Sequence, residues 1–540
     1  MNKKLRKKII TAIAYTSVCL LGASALFVCT AESLKEPITA LLDGQASLTT
    51  IFSQEGNDLL SSKRTSKNVS QNKNAEKSSE TEKEAGYTEG LNYNYVEVED
   101  ENGRVIDKYY VLRSIGKSES EDIVIPEEVN HIPVREIHPF AFMNNSKIKS
   151  VVIPKTVEVI GKDAFKWCAN LESVSIPKTM GVRVDEKGKP LDGVIDEGAF
   201  SHCLALKSIT IPTNVKKIHD NTFYMCYALE DVNLHNQIEE IGKEAFARCL
   251  NLPSIMIPSK VSMISDGAFY YCQGLKSIEL STHITRIGKR AFAGCSSLTE
   301  VELPNTTTVV DKYAFAYCDG LEKVVIPEKI SSIADNVFAA CTSLKNFEVS
   351  KKNLSFEEID GNLYTEDKKT LVQYAIGKEE KEFTVPSYVE CIADAAFGLD
   401  DSLESVTFEN GVKYIGDNAF YGCENFANVT LCNTILQIGE NAFRNCYALE
   451  MLVLPIPRAA EILEVPVEPS VEMDIFNYAF RWCHNLEKVY VKGDYKAWKL
   501  KVNLGLLTKM EDVDVYYYSD VEPTEEGNYW HYVDGVATAW

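Results

Sequence analysis

No catalytic signature is present in this 540-residue sequence: there is no H-E-x-x-H, no G-x-S-x-G and no Walker loop, and the 8 histidines are scattered. Although there are 15 cysteines, none are paired as Cys-x-x-Cys, so the close ligand spacing of a zinc site is missing. Positive charge is also short. With 56 Lys and Arg against 78 Asp and Glu the net charge is -22, which opposes general attraction to a phosphate backbone or an anionic bilayer. After the apolar run near the start, neither a second such run nor a wall-sorting motif follows. Together these absences predict a non-catalytic protein with no cofactor, no metal and no nucleic-acid partner.

What is present begins with an export signal. The basic stretch Lys3-Lys4-Leu5-Arg6-Lys7-Lys8 precedes mostly apolar residues from Ile9 to Val28, with small residues at Ala23-Ser24-Ala25 and Cys29-Thr30-Ala31. Cleavage after Ala25 or Ala31 is the favoured reading. An uncleaved anchor is the rival, because about twenty apolar residues suffice to span a bilayer, and the N-terminal segment would then be the sole membrane contact. Either way residues 1–31 are a signal peptide or anchor, and the rest is extracellular, secreted or held at the cell surface. Residues 32–86 are too polar to bury a core and read as a disordered linker.

The next segment is built on a repeat. Phenylalanine, usually after alanine, recurs at positions 142, 165, 200, 223, 246, 269, 292, 315, 338, 397, 420, 443 and 480, and most intervals are 23 residues. Around Phe292 one unit contains Ile287-Gly288, Ala291, Cys295, Leu298, Val301 and Leu303-Pro304. The alternation at Leu298-x-x-Val301-x-Leu303 is strand periodicity, ended by a proline that has no N–H for a sheet. A unit this small cannot bury its own apolar stripe, so units must stack, each strand pairing with its counterpart in the next coil. The expected fold is α/β: a curved solenoid over residues 87–495, with a parallel sheet on one face and short helical turns around Ala291 to Cys295 on the other.

Three intervals are longer, and each excess enters after a strand: around Gly181 to Gly188, around Asp360 to Tyr364, and from Pro455 to Pro469. Insertions on one edge of a solenoid often mark a binding edge, although loops at such a place also simply tolerate insertion. The middle interval hides one irregular unit around Leu371 to Ile376.

These units resemble the BspA-like bacterial leucine-rich repeats, whose form Ile-Gly-x-x-Ala-Phe-x-x-Cys-x-x-Leu-x-x-Val-x-Ile-Pro is met by Ile160-Gly161, Ala164-Phe165, Cys168, Leu171, Val174 and Ile176-Pro177. Departures are local: Asn145 and Asp400 stand where cysteine is expected, Ala393 replaces glycine, and His235, Ser281, Ser350, Glu409 and Cys432 replace proline. The resemblance implies extracellular protein–protein binding or adhesion, with a protein partner such as host matrix or another cell surface. A structural spacer or envelope component without a specific ligand is the alternative, since a solenoid scaffold does not fix its ligand.

Eleven cysteines fall in one column of the repeat, from Cys168 to Cys483. Stacked strand residues lie ~4.8 Å apart with parallel Cα–Cβ bonds, whereas a disulfide needs Cβ atoms about 3.8 Å apart and facing each other. Buried free thiols are therefore expected.

The outward strand positions, eight and ten residues after each Phe, are the candidate partner-binding residues: Asp231, Asn233, Glu279, Glu300, Glu302, Lys323 and Glu348. They form a mainly acidic strip suited to a basic patch on a partner, or the ordinary solvated face of an acidic protein. No aromatic ladder appears in this strip. Residues 496–540, with the aromatic run Tyr529-Trp530-His531-Tyr532, read as a C-terminal cap, with a single aromatic wall-binding repeat as the sharper alternative.

Overall fold

A computed structural model describes residues 86–100, 102–181, 191–455, 474–475, 478–491, 514–524, 527–533 and 536–540. The expected signal peptide or anchor, nearly all of the expected linker, most of the inserted residues at 181–188 and 455–469, and part of the expected C-terminal cap lie outside the described residues.

Every regular coil contributes two short strands. One follows the recurring leucine, such as Glu300–Glu302, and pairs in parallel with its counterpart one coil on, Lys323–Ile326, in the register Glu300↔Lys323, Val301↔Val324. The other precedes the phenylalanine, such as Arg286–Ile287, and pairs with Val309–Val310. Register is exact to one repeat because a slip of one residue would turn Val301 out and Glu302 in.

The first strand column is interrupted between Asp231–Asn233 and Ser254–Met256, and again between Ser277–Glu279 and Glu300–Glu302. Pro253 accounts for the first gap. At the equivalent position in neighbouring coils an N–H bridges to the coil before, as Glu230 N does to Lys207 O (2.8 Å) and Lys276 N to Pro253 O (2.9 Å). Proline has no N–H to give there. The second gap has no such explanation in the structure.

Inside, the phenylalanines form a stack. Neighbouring rings from Phe142 to Phe338 and from Phe397 to Phe480 lie near-parallel at centroid distances from 4.6 Å (Phe397–Phe420) to 5.8 Å (Phe315–Phe338). Leu298, Val301, Ala291 and Cys295 are fully or almost fully buried beside them. This core has two parts that meet at the irregular unit, where Leu363 belongs to one and Tyr364 to the other. There the strands Phe356–Ile359, Asn362–Thr365 and Thr370–Gln373 form an antiparallel meander, and Tyr374 takes the stacking place of a phenylalanine, 4.7 Å from Phe397.

The expectation of short helical turns, and with it the α/β class, is corrected: the described residues contain strands and turns and no helix. In place of a helix, alternate residues bond in two directions. Ala291 N, Ala293 N and Cys295 N donate three residues back, to Gly288 O, Arg290 O and Phe292 O (3.1–3.2 Å), while Phe292 N and Gly294 N donate onward to Ala314 O and Ala316 O of the next coil, both at 2.8 Å. The reason is pitch. Coils spaced as closely as these phenylalanine rings leave no room for one α-helix each, whose diameter with side chains is about 10 Å.

The ends are closed differently. At the N-terminal end an antiparallel hairpin, Asn92–Glu99 with Val105–Ser114, leads into the parallel strand Ile132–Ile137. At the other end the sheet continues through Asp514–Tyr518 and Tyr529–Val533 to an antiparallel strand, Val536–Ala539. Trp530 is fully buried there and its indole N–H donates to Val491 O at 2.9 Å.

Candidate functional site: two faces of the coil

The seven sequence-predicted residues all lie on one face. Asp231, Asn233, Glu279, Glu300, Glu302 and Glu348 are exposed and Lys323 is half-buried, each alternating with a core residue such as Val232, Ile278, Val301 or Val324. Glu300, Lys323 and Glu348 are brought together: the Lys323 ammonium lies 3.0 Å from a Glu348 oxygen and 3.4 Å from one of Glu300. These hydrogen bonds, to Glu348 first, hold the Lys323 pKa above the usual lysine value. Asp231 and Asn233 stand on the far side of the strand gap at Pro253 and are not joined to the others by the sheet.

The opposite, turn-bearing face carries a feature that the sequence reading missed. Two residues after the phenylalanine, most coils adopt a left-handed backbone: Trp167 (φ 64), His202 (φ 61), Met225 (φ 60), Arg248 (φ 62), Tyr271 (φ 56), Gly294 (φ 77), Tyr317 (φ 59) and Trp482 (φ 66). That geometry is uncommon for residues other than glycine, asparagine and aspartate. It swings each of these side chains out of the core and into one surface column.

The column is populated by flat groups in contact. Trp167 and His202 stack with ring centroids 3.7 Å apart, and burial holds the His202 pKa down at about 4, so the ring is neutral at ordinary pH. Arg248 lies over Tyr271 (5.3 Å), and Arg444, one residue after its phenylalanine, lies over Trp482 (4.2 Å); Arg290 and Tyr313 (5.7 Å apart) pair in a second column, two residues before the phenylalanine. The signal for this column lay in the sequence register, in the residue two after each phenylalanine.

The eleven cysteines of the column are free, and each thiol donates to the carbonyl oxygen of the phenylalanine one coil back, at 3.1–3.3 Å, from Cys168 to Phe142 through Cys483 to Phe443. Burial drives the pKa values of Cys168, Cys226, Cys272 and Cys483 upward, to about 12. Such thiols are packing groups, not nucleophiles. Among the described residues no group of three His, Cys, Asp or Glu is arranged to hold a metal ion.

A parallel two-strand coil with the Ala-Phe-x-x-Cys turn defines a bacterial leucine-rich repeat. The BspA type leucine-rich repeat region family matches residues 116–187, 191–278, 262–378 and 377–494, in six copies, and the chain belongs to that family. Solved structures similar in fold include a leucine-rich cell surface protein from Faecalibacterium prausnitzii (24% identity, TM-score 0.47, covering 76% of this chain and 89% of that one). A leucine-rich repeat protein from Bacteroides ovatus is 22% identical over 80% of this chain and 99% of that one, with a TM-score of 0.46. The pneumococcal vaccine antigen PcpA is 19% identical over 79% and 94%, with a TM-score of 0.45. No protein of curated function matches the chain.

Proposed function

We propose that this is an extracellular, non-catalytic binding protein, carried out of the cell by its N-terminal segment, whose strand face docks a protein partner of a matrix or another cell surface. The observation that carries this reading is the charged strip itself, in which Lys323 ties Glu300 of its own column to Glu348 of the next, the column in which Glu279 and Glu302 also stand exposed. Groups pre-positioned on a sheet lose little freedom on binding, and an acidic strip selects a basic patch. Family membership supports the reading, because leucine-rich repeats serve widely as protein-binding surfaces.

The test is binding of the full chain to immobilised matrix proteins at two salt concentrations. Saturable binding that weakens with salt, and about tenfold with Glu300→Lys and Glu302→Lys together, is the expected result. Indifference to every matrix protein offered would favour the spacer role.

A further inference from the structure

The hairpin that closes the N-terminal end leaves one strand open on one side. Its outer strand, Asn92–Glu99, pairs with Val105–Ser114 and, among the described residues, has no neighbour on its other edge. It carries no lysine and no proline, two residues with which natural edges prevent further pairing.

The outward groups follow from the register. Gly90 O accepts from Lys117 N and Asp100 N donates to Arg104 O, both at 2.9 Å and both across the hairpin. Between them the two register shifts skip Arg113 and Ile106 of the inner strand and no residue of the outer one. Main-chain groups alternate along a strand, so those of the even-numbered residues turn inward and those of Tyr93, Tyr95, Glu97 and Glu99 turn out. Among the described residues none of these four makes a main-chain hydrogen bond beyond the hairpin.

Apolar groups gather at the same place. Tyr95 is 44% exposed, Val98 37%, Val105 36% and Ile106 63%. An edge with free rungs beside uncovered apolar side chains is a template for another strand.

The order of side chains selects the partner. A two-fold axis perpendicular to the sheet relates two copies of one antiparallel edge and sets each residue opposite one of the same parity. With the axis at Val96, Tyr95 faces Glu97 of the second copy and Tyr93 faces Glu99 of the second copy, so each glutamate meets a phenol instead of a like charge. Val96 then meets its own counterpart, with Val98 diagonal to it. Moving the axis to Tyr95 sets Glu99 against Leu91, and moving it to Glu97 sets that carboxylate against itself.

We propose that two copies of this chain join edge to edge through Asn92–Glu99, antiparallel about a two-fold axis at Val96, so that the two hairpins form one continuous sheet. The seam is narrow, and the dimer is accordingly weak and reversible. The strand-face strip takes no part in it, and either reading stands if the other fails.

Analytical ultracentrifugation of the full chain over a concentration series tests the proposal. A monomer–dimer equilibrium that tightens with added salt is expected, because two chains of net charge -22 repel each other until screened. Tyr95→Pro should weaken it about tenfold or more and leave the melting temperature unchanged, since that N–H bonds nothing in the hairpin and the proline ring takes its place on the edge. Val96→Cys should give a disulfide-linked dimer on mild oxidation, the opposed Cα atoms being about 4.5 Å apart, whereas Val98→Cys, roughly 13 Å from its counterpart, should not. A chain that stays monomeric up to about 0.5 mM, a dimer unchanged by Tyr95→Pro, or cross-linking at position 98 and not at 96 would each overturn it. So would slow exchange of the Tyr95 and Glu97 amides in the dilute monomer, which would put the chain's own earlier residues on this edge.

Discussion

The thiol of Cys295 donates to the carbonyl oxygen of Phe269, 3.3 Å away in the preceding coil, and that oxygen also accepts the N–H of Cys272 at 3.2 Å. The pairing explains two departures from the repeat. Asn145 belongs to the first Phe-bearing coil and Asp400 follows the irregular unit, so neither has a preceding phenylalanine turn to receive a thiol. Each instead folds its side-chain oxygen back onto main-chain N–H groups, those of Lys147 and Ile148 for Asn145 (2.9 and 3.3 Å) and those of Ser402 and Leu403 for Asp400 (2.8 and 3.0 Å).

This column makes the fold sensitive to alkali. A buried thiol whose pKa is raised from 9.0 to about 12, as for Cys226 and Cys272, keeps its proton in the native state while the unfolded chain gives it up. The folded state then binds more protons than the unfolded one, so stability is full below about pH 9 and is lost as pH rises toward 12. Urea unfolding at pH 8, 9 and 10 checks this, and a flat profile would refute it. In the native protein, alkylation mapped by mass spectrometry should modify half-buried Cys391 before any member of the column.

Phe292 sits between Phe269 and Phe315 at 5.3 and 5.2 Å, with no exposure. Phe292→Ala is expected to cost about 3–5 kcal/mol through lost burial and an unfilled cavity. Chemical denaturation measures it; a loss under about 1 kcal/mol would mean the stack is not the core.

Gly294→Ala tests the turn face. Its φ of 77 costs an L-residue about 1–2 kcal/mol, and the new methyl would strike the Tyr271 ring. A lower melting temperature with altered tyrosine fluorescence is expected, whereas an unchanged spectrum would show that the ring does not rest there.

Trp530→Ala should act locally. Its ring contacts Tyr490, Tyr518 and Tyr532 at 5.0–5.3 Å over the last repeat. Because each coil touches only its neighbours, loss of this cover should fray the C-terminal coils, by about 3–5 kcal/mol, and leave the centre intact. Hydrogen exchange resolves the two, and a uniform rise in exchange would contradict it.

The strand face was legible because period-two alternation around Val301 states which residues point inward. The turns were misread because Ala291, Phe292 and Cys295 have the spacing of one helical turn, and sequence spacing carries no information about the pitch between coils. That pitch, set by rung after rung of inter-coil hydrogen bonds, is what rules the helix out. Of the expected strip, its orientation was readable and the Lys323 bridge was implicit in the 23-residue offset from Glu300. The contact of Ala339 with Ala395 was not, since it reaches across an irregular unit.

At Pro253 the array is joined unevenly. The two flanking coils are stitched on the turn side, by Phe223 N to Ala245 O and Met225 N to Ala247 O at 2.8 Å, while the strands Asp231–Asn233 and Ser254–Met256, like Glu240–Ile241 and Met263–Ile264, share no rung. The strand side of the seam is held by side chains instead, with the Ser265 hydroxyl donating to Ile241 O at 2.5 Å and the Lys260 ammonium 3.4 Å from Glu239. At this line the join between two coils passes from main-chain rungs to side-chain ties.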